Sequence, residues 1–210
     1  MLFPGRIWRK MARNLYLIRH GQVINQLKGK FVGSTDADLS LSGLEQAARL
    51  NIFLSRKTPD ICFSSPMRRC LQTAEQAIAS LNIELFPKKM FREVDFGEWE
   101  GLGFNDIVRS DPVGVEKWIR CDQDFRFPQG ESLAEFIERI ETSAGFLLKI
   151  PQDTVAVFTH GGVIRFMLCQ LLGLALRKHS IFEVNYTDVY VLKILNNSAV
   201  LSGILNSEDM

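Results

Sequence analysis

Short β-favouring apolar segments alternate with helical patterns along this chain, and the alternation restricts the possible folds more than any other feature. The predicted strands cover residues 15–19, 60–64, 83–86, 154–159, 180–184, 188–194 and 198–204. Helical patterns separate the first four of these strands, so those strands are joined by crossover connections. This order predicts an α/β fold with a mostly parallel central sheet and helices on both faces.

Serine residues with capping potential precede three of the helical patterns. Each is followed by a residue that favours a helix start: Ser42 with Glu45, Ser65 with Pro66, and Ser132 with Glu135. After Ser132, apolar residues recur at spacings of three and four up to residue 148, which is typical of an amphipathic helix. The apolar segment 161–172 predicts a buried helix.

The composition is that of an ordinary globular protein, with 46% apolar and 23% charged residues among 210. We predict a single domain over residues 14–205, after an N-terminal extension of residues 1–13. The net charge of +1 gives no basis for nucleic-acid binding, so any anion site must be built locally from clustered cations. Apolar runs stay well short of the roughly 20 residues that a membrane span requires. The basic N-terminal segment does not resemble a secretory signal.

Cysteine and histidine usage argues against disulfides and metal sites. The four cysteines form no C-x-x-C pair, and we expect them to be reduced and structural, as in a cytoplasmic protein. The three histidines lack the spacing of zinc ligands. We therefore expect no metal and no cofactor.

Polar residues follow the predicted strands at the point where each strand ends. They are Arg19, His20 and Gly21 after the first strand, Ser64, Ser65, Arg68 and Arg69 after the second, Glu93 after the third, and His160, Gly161 and Gly162 after the fourth. In open α/β sheets, ligands bind beyond the carboxyl ends of the strands. The sequence therefore predicts that these residues converge on an anion site.

The residue types at this predicted site suit phosphoryl transfer. Arginine matches phosphate oxygens with a planar fork of donors, and backbone N–H groups at a helix start attract anions. A histidine kept neutral by neighbouring guanidinium groups can attack phosphorus, and a second, protonated histidine can stabilise the transferring charge. A carboxylic acid can protonate the leaving alcohol.

Four segments resemble the signature sequences of the histidine phosphatase family, also called the phosphoglycerate mutase-like family. They read "LIRHG", "SSPMRRCLQTAE", "REVDFGEWEG" and "VFTHGGVIR" and occur in the family's order. The resemblance implies a phosphoglycerate mutase-like fold and a metal-independent phosphatase that acts on a small phosphorylated metabolite.

The resemblance also implies a role for individual residues. His20 is the phosphorylated nucleophile, and Arg19 and Arg69 bind the phosphoryl group. His160 completes the pocket and stabilises the transition state, with Gly161 contributing to phosphate binding. Glu93 is the general acid and then the base that activates water.

Neighbouring residues of the same types have simpler interpretations. Arg68 is interpreted as a solvated surface residue, and His179 as a structural or surface histidine. Asp95, Glu98 and Glu100 compete with Glu93 for the acid role, and the family motif favours Glu93. Phe96 and Trp99 are interpreted as packing residues, while Arg165 is either a salt-bridge residue or part of the substrate rim.

The first motif departs from the family pattern after Gly21. Many relatives read R-H-G-E-T-x-x-N, whereas Gln26 occupies the asparagine position here and Asn25 lies one step before it. We expect Gln26 to take over the phosphate contact from a longer side chain. Lys30 stands where an arginine is common, which keeps the charge but loses the planar fork.

The segment between Glu93 and the late helices is short, unlike that of the mutases. The run from Trp118 to Ser132 resembles the branch that contains α-ribazole-5′-phosphate phosphatase, an enzyme that acts in building the lower ligand of cobalamin. We therefore expect α-ribazole 5′-phosphate to be the substrate. The alternatives are a phosphoglycerate mutase, a fructose-2,6-bisphosphatase-like or broad-specificity sugar-phosphate phosphatase, and a non-catalytic phospholigand-binding module. The oligomeric state stays open.

Overall fold

A computed structural model describes residues 13–196 and 198–206 of the chain. The strands are β1 (Arg13–Arg19), β2 (Ile61–Ser64), β3 (Leu85–Pro87), β4 (Thr154–Thr159), β5 (Val189–Leu195) and β6 (Ser198–Leu205). The α-helices are α1 (Leu41–Lys57), α2 (Arg68–Ala77), α3 (Phe104–Ser110), α4 (Pro112–Ile119), α5 (Leu133–Lys149) and α6 (Gly161–Leu172). Short 3-10 helices occupy Asn25–Leu27, Lys89–Phe91, Gly97–Trp99 and Leu176–Ile181.

The six strands form one sheet in the order β3-β2-β4-β1-β5-β6. The neighbours β3–β2, β2–β4 and β4–β1 are parallel, whereas β5 pairs antiparallel with β1 and with β6. Because β1, β2 and β4 run the same way side by side, their carboxyl ends lie together at one edge of the sheet. The predicted fold class, with a mostly parallel sheet, is confirmed.

Helices cover both faces of the sheet, as predicted. Alternate residues of β1 enter two separate cores: Leu15 and Leu17 contribute to one, and Tyr16 and Ile18 to the other. The first core receives the apolar sides of α5 and α6, and the second receives those of α1 and α2. The strands of this region are therefore buried on both faces, which explains their continuous apolar character.

The starts of two helices differ from the prediction. Helix α1 is capped by Ser40, whose hydroxyl accepts a hydrogen bond from the backbone N–H of Gly43, so Ser42 lies inside the helix. Helix α2 begins at Arg68 after Met67, and the Ser65 hydroxyl contacts a histidine ring of the site described below. The predicted capping box of Ser132 and Glu135 is confirmed.

The predicted strand over residues 180–184 was wrong. Residues 176–181 form a 3-10 helix that packs its His179 against α6, and residues 182–188 form an irregular connection to β5. The predicted N-terminal extension lies outside the described residues except for Arg13, the first residue of β1. Among the described helices, none is long and apolar enough to cross a membrane.

Candidate active site

The two predicted site histidines lie side by side at the carboxyl edge of the sheet. His20 follows β1 and His160 follows β4, and the register pairs Arg19 with Thr159 just before them. The ring centroids of the histidines are 5.2 Å apart, and both side chains are buried. Parallel pairing thus brings together residues that are 140 positions apart in the sequence, from 20 to 160.

His20 is held with one ring nitrogen free. Its Nδ1 lies 2.8 Å from the backbone oxygen of Gly21, a geometry in which Nδ1–H donates and Nε2 keeps its lone pair. Burial, followed by the charges of Arg69 and Arg19, holds the pKa of His20 well below its usual range. The ring is therefore neutral and able to act as a nucleophile at neutral pH.

Gly21 lets the loop after β1 pack against the start of α1. A Cβ at this position would lie only 2.5 Å from the backbone oxygen of Gly43. The Gly21 N–H donates to the Thr73 hydroxyl of α2 at 3.0 Å, and that hydroxyl donates to the Arg69 carbonyl. A glycine is thus needed at position 21, because only a residue without a side chain allows the close packing that fixes the His20 backbone.

His160 is engaged at both ring nitrogens. Arg69 Nε donates to Nδ1 at 3.2 Å, and Nε2 lies 2.8 Å from the Ser65 hydroxyl, to which it donates as the protonated nitrogen. Burial and the charge of Arg69 hold the pKa of His160 well below its usual range. Burial and the Arg69 donor thus favour a neutral His160 ring, whereas the sequence predicts a protonated second histidine. The Cys70 thiol also contacts this ring, and burial raises the pKa of Cys70 to about 12.

Arg19 presents unused hydrogen-bond donors to the site. Its Nη1 donates to the Val184 carbonyl at 2.7 Å, and its guanidinium lies 4.2 Å from the centroid of the Tyr186 ring. Its Nε is buried and has no hydrogen-bond partner. An unpartnered buried donor costs about 1–3 kcal/mol, so a bound anion at this nitrogen is favoured.

Arg69 is buried beside His160, but its guanidinium is largely used by backbone groups. It donates to the carbonyl oxygens of Val32, Gly33 and Thr35 at 3.2, 2.8 and 2.7 Å. These bonds hold the 32–35 segment over the site. To contact a phosphoryl group, Arg69 would have to use its remaining N–H, or the 32–35 segment would first have to move.

Glu93 lies at the N-terminus of α6. Its Oε2 accepts the N–H of Gly162 at 2.9 Å, and its Oε1 accepts the N–H of Val94 at 3.1 Å. A Cβ on Gly162 would lie 2.5 Å from Oε1, so this glycine is required for the carboxylate to reach its position. The family motif's choice of Glu93 over its acidic neighbours thus agrees with the geometry: Glu93 lines the same cavity as His20.

A cavity of about 200 Å³ opens in front of His20. Its polar lining comprises Arg19, His20, Lys30, Glu93, Gly161, Gly162, Arg165 and Tyr186. A Cβ on Gly161 would lie 3.5 Å from Arg19 Nε and 3.8 Å from Arg165 Nη1, so the missing side chain leaves room between two guanidinium groups. Three cations and a helix N-terminus make this cavity suitable for a phosphate.

Gln26 lies away from this cavity. It belongs to the exposed 3-10 helix Asn25–Leu27 and is not among the lining residues. Asn25 accepts a hydrogen bond from the Gln22 amide at 3.3 Å. A phosphate contact from Gln26 would require this exposed segment to move toward the cavity.

Two of the three competing acidic residues, Asp95 and Glu100, have structural partners. Glu100 accepts backbone N–H groups of Gly33 and Ser34, and Asp95 accepts that of Gly97. Arg68 forms an exposed ion pair with Asp38. Within the described part of the chain, no group of three or more His, Cys, Asp or Glu side chains could hold a metal ion.

Thr73 and Tyr186 contribute to the site but were not predicted there, and Ser65 was predicted near the site without its contact to His160. Ser65 and Thr73 belong to the segment that carries Arg69, so that motif contained a signal for them. Tyr186 lies in an irregular connection, where no local pattern indicates contact with Arg19.

Comparison with known proteins agrees with this geometry. The chain is 33% identical over 168 residues to "Phosphoserine phosphatase 1" of Hydrogenobacter thermophilus, covering 78% of each protein. It is 26% identical over 163 residues to "Adenosylcobalamin/alpha-ribazole phosphatase" of Escherichia coli, covering 76% of the chain and 79% of that protein. The crystal structure of a putative alpha-ribazole-5′-P phosphatase from Escherichia coli superposes with a TM-score of 0.84 at 25% identity, covering 95% and 98% of the two chains. Residues 15–206 match the family described as "Histidine phosphatase superfamily (branch 1)", and the chain belongs to this family of phosphatases.

Proposed function

We propose that this protein hydrolyses a small phosphomonoester through a phosphohistidine on His20. The observation that carries the proposal is the tautomer of His20: Nδ1–H is bonded to Gly21, and Nε2 is free beside Arg19 and Glu93. A neutral imidazole in a cavity lined by cations is the arrangement that nucleophilic attack on a phosphate requires.

In the first step, the phosphoryl oxygens bind Arg19 Nε and the N-terminal end of α6, with Lys30 and Arg165 nearby. His20 Nε2 forms a bond to phosphorus as the ester P–O bond breaks. Glu93, in its acid form, transfers its proton to the leaving oxygen, and the alcohol is released. The Gly21 carbonyl stabilises the positive charge that develops on the imidazole, since Nδ1–H already donates to it.

In the second step, the Glu93 carboxylate accepts a proton from water, and the water oxygen attacks phosphorus. The N–P bond breaks, its electron pair returns to Nε2, and inorganic phosphate leaves. Glu93 is then protonated for the next cycle, so no external proton is consumed. His160 can contribute a hydrogen bond to the phosphoryl group if its Nε2–H exchanges the Ser65 hydroxyl for a phosphoryl oxygen.

As the substrate we propose α-ribazole 5′-phosphate. Support comes from the resemblance of the 118–132 segment to that branch, and from the similarity to the Escherichia coli phosphatase of that name in sequence and in fold. Phosphoserine is the second candidate, because the Hydrogenobacter relative bears that name at higher identity.

The nucleophile is tested by His20→Ala. We expect kcat/KM for α-ribazole 5′-phosphate to fall at least about 1,000-fold, because the covalent step is lost. Wild-type enzyme quenched in alkali during turnover should carry one phosphoryl group on the peptide that contains His20, and the variant should carry none. Circular dichroism of both proteins checks that the fold survives.

Residual turnover near the wild-type rate in His20→Ala would contradict the mechanism. The substrate is tested separately by comparing kcat/KM for α-ribazole 5′-phosphate, phosphoserine and fructose 2,6-bisphosphate in metal-free buffer. Net transfer between 2- and 3-phosphoglycerate would instead identify a mutase.

A further inference from the structure

A second cavity, of about 240 Å³, lies beside the phosphate-binding cavity. It lies between the irregular segment after β3, helix α4 and the connection that follows it, the start of α5, helix α6, and the 3-10 helix before β5. Its lining comprises Val94, Phe96, Trp118, Phe127, Leu133, Phe136, Phe166 and His179, with Gly162, Arg165 and Ser180 at its polar positions. We call it the aromatic cavity.

Six of its lining residues form an unbroken chain of ring contacts. Successive ring centroids are 5.2, 6.4, 6.4, 4.6 and 5.1 Å apart along the series Phe96, Phe127, Trp118, His179, Phe166 and Phe136. Aromatic rings at these distances favour stacked and edge-to-face contacts with one another and with a further ring. The wall is therefore suited to a flat apolar group.

The aromatic cavity is large enough to hold a ring system. Its volume is several times the roughly 30 Å³ that a water molecule occupies in the liquid. Apolar walls offer water few hydrogen-bond partners, so water gains little there. A flat apolar ligand would gain dispersion contacts with the aromatic lining.

The aromatic cavity adjoins the phosphate-binding cavity. Phe96, Trp118, Gly162 and Arg165 line both. Arg165 lies at the junction, where its Nε donates to the Phe182 carbonyl at 3.0 Å and its Nη1 points toward Gly161. A single molecule with its phosphate at His20 can therefore extend into the aromatic cavity.

Apart from Arg165 at the junction, the polar residues that line the aromatic cavity carry no charge. Burial and the nearby charge of Arg165 lower the pKa of His179 to about 4, so its ring is neutral at physiological pH. A neutral imidazole offers one donor and one acceptor. The deeper lining holds no carboxylate or ammonium group to pair with a zwitterionic substrate.

We propose that the aromatic cavity binds the alcohol portion of the substrate, so the enzyme selects phosphomonoesters of alcohols that carry an aromatic or flat apolar group. This inference rests on the proposed function, because it takes the phosphate to sit at His20. It makes Phe166, Trp118 and His179 specificity residues. Phosphoserine and phosphoglycerate, whose remaining groups are charged, are disfavoured.

Two esters with similar leaving groups test the selection. Ethyl phosphate and 2-(2-naphthyl)ethyl phosphate both release a primary alcohol, so their intrinsic reactivity is close. We expect kcat/KM to be about 100-fold higher for the naphthyl ester, because its ring system leaves water on binding. A ratio near one would overturn the proposal.

A pair of variants on one 3-10 helix tests the location. Ser180 is the exposed residue of the lining, and Lys178 is an exposed residue that lies outside it. Ser180→Phe should lower the naphthyl-to-ethyl ratio about tenfold by filling the cavity mouth. Lys178→Phe should leave the ratio unchanged. An equal effect of the two variants would overturn the assignment to this cavity.

Binding without chemistry separates this inference from the proposed function. Ligand-observed NMR with 2-(2-naphthyl)ethanol, which carries no phosphate, should detect binding to wild type and Lys178→Phe, and weaker binding to Ser180→Phe. If neither ester were hydrolysed but this binding pattern were observed, the ligand site in the aromatic cavity would be supported and the phosphatase mechanism would be wrong. If ethyl phosphate were hydrolysed but the alcohol did not bind, the phosphatase mechanism would be supported and the assignment of the aromatic cavity would be wrong.

Discussion

The two site histidines carry their protons on different ring nitrogens. His20 donates from Nδ1 to a backbone carbonyl, whereas His160 accepts at Nδ1 from Arg69 and donates from Nε2. Both rings are buried beside the same arginines, and both pKa values are lowered. The hydrogen-bond partner of Nδ1 therefore decides which histidine keeps a free Nε2 for attack.

Gly162 offers a test of how closely the Glu93 carboxylate must approach helix α6. In Gly162→Ala the new Cβ would meet Glu93 Oε1 at 2.5 Å, so the carboxylate must move. We expect kcat to fall by about 10- to 100-fold, as for a misplaced catalytic group, with a smaller change in KM. Steady-state kinetics on the preferred substrate measures both constants.

Gly145→Ala is the matched control, because it makes the same change within helix α5, where a Cβ would meet no atom within 4 Å. This variant should keep its kcat and gain about 0.5–1 kcal/mol of stability from the better helix former. Equal kcat values for the two variants would mean that the position of Glu93 is not critical.

Among the secondary-structure elements, helix α5 holds the irregular segment that carries Glu93. Arg139 of α5 donates to the carbonyl oxygens of Met90 and Arg92, at 3.3 and 2.6 Å, and forms a half-buried ion pair with Glu131. Glu131 in turn accepts the N–H of Asp95. Arg139 and Glu131 thus replace the regular backbone pairing that a strand would supply in this segment.

We predict that Arg139→Met lowers kcat by about tenfold or more and leaves KM within a few-fold, because Arg139 positions Glu93 and lies outside the substrate cavity. The free energy of unfolding should fall by about 2–4 kcal/mol, since the variant leaves Glu131 without its partner. Urea denaturation and steady-state kinetics measure the two effects.

Arg120→Ala removes an exposed ion pair, with Glu116 of helix α4, and serves as the control. Exposed pairs contribute about 0–1 kcal/mol, so this variant should resemble wild type in both measurements. An unchanged kcat in Arg139→Met would show that Glu93 is held by other contacts.

Taken as a whole, the molecule buries all three of its histidines, at positions 20, 160 and 179, in neutral form. In the unfolded chain each ring has an ordinary pKa of about 6.5. Because the folded-state pKa values are lower, the unfolded state binds more protons as the pH falls below about 6.5. The contribution of the buried histidines to the free energy of unfolding is therefore complete above that pH and declines below it.

We predict that the free energy of unfolding decreases between pH 7.5 and pH 5.5, by at most about 1.4 kcal/mol per pH unit for each histidine. Urea denaturation across this range measures the slope. In His179→Gln the slope should become smaller, because one of the three groups no longer titrates. A slope that stayed the same would show that other groups dominate the pH dependence.

Local patterns were sufficient for much of the fold. Continuous apolar runs identified β1 and β4, and the capping box at Ser132 identified the start of α5, because both signals come from residues close in sequence. The prediction of a strand over residues 180–184 was wrong, because the apolar residues of this segment belong to an irregular connection. Ser65 was misassigned as a helix cap because its partner, His160, is distant in sequence.

The amino-acid sequence alone determined the family, the α/β architecture and the meeting of His20, Arg19, Glu93 and His160 at one edge of the sheet. Parallel pairing accounts for the meeting of Arg19, His20 and His160, because the carboxyl ends of β1 and β4 lie together, whereas Glu93 reaches them through the irregular segment that Arg139 holds. Only the tertiary structure decided the tautomers of the histidines, the use of Arg69 by backbone carbonyls and the outward position of Gln26. It also created the aromatic cavity, whose rings come from segments spread over residues 96–179. These features depend on contacts between residues far apart in the chain, which no local pattern encodes.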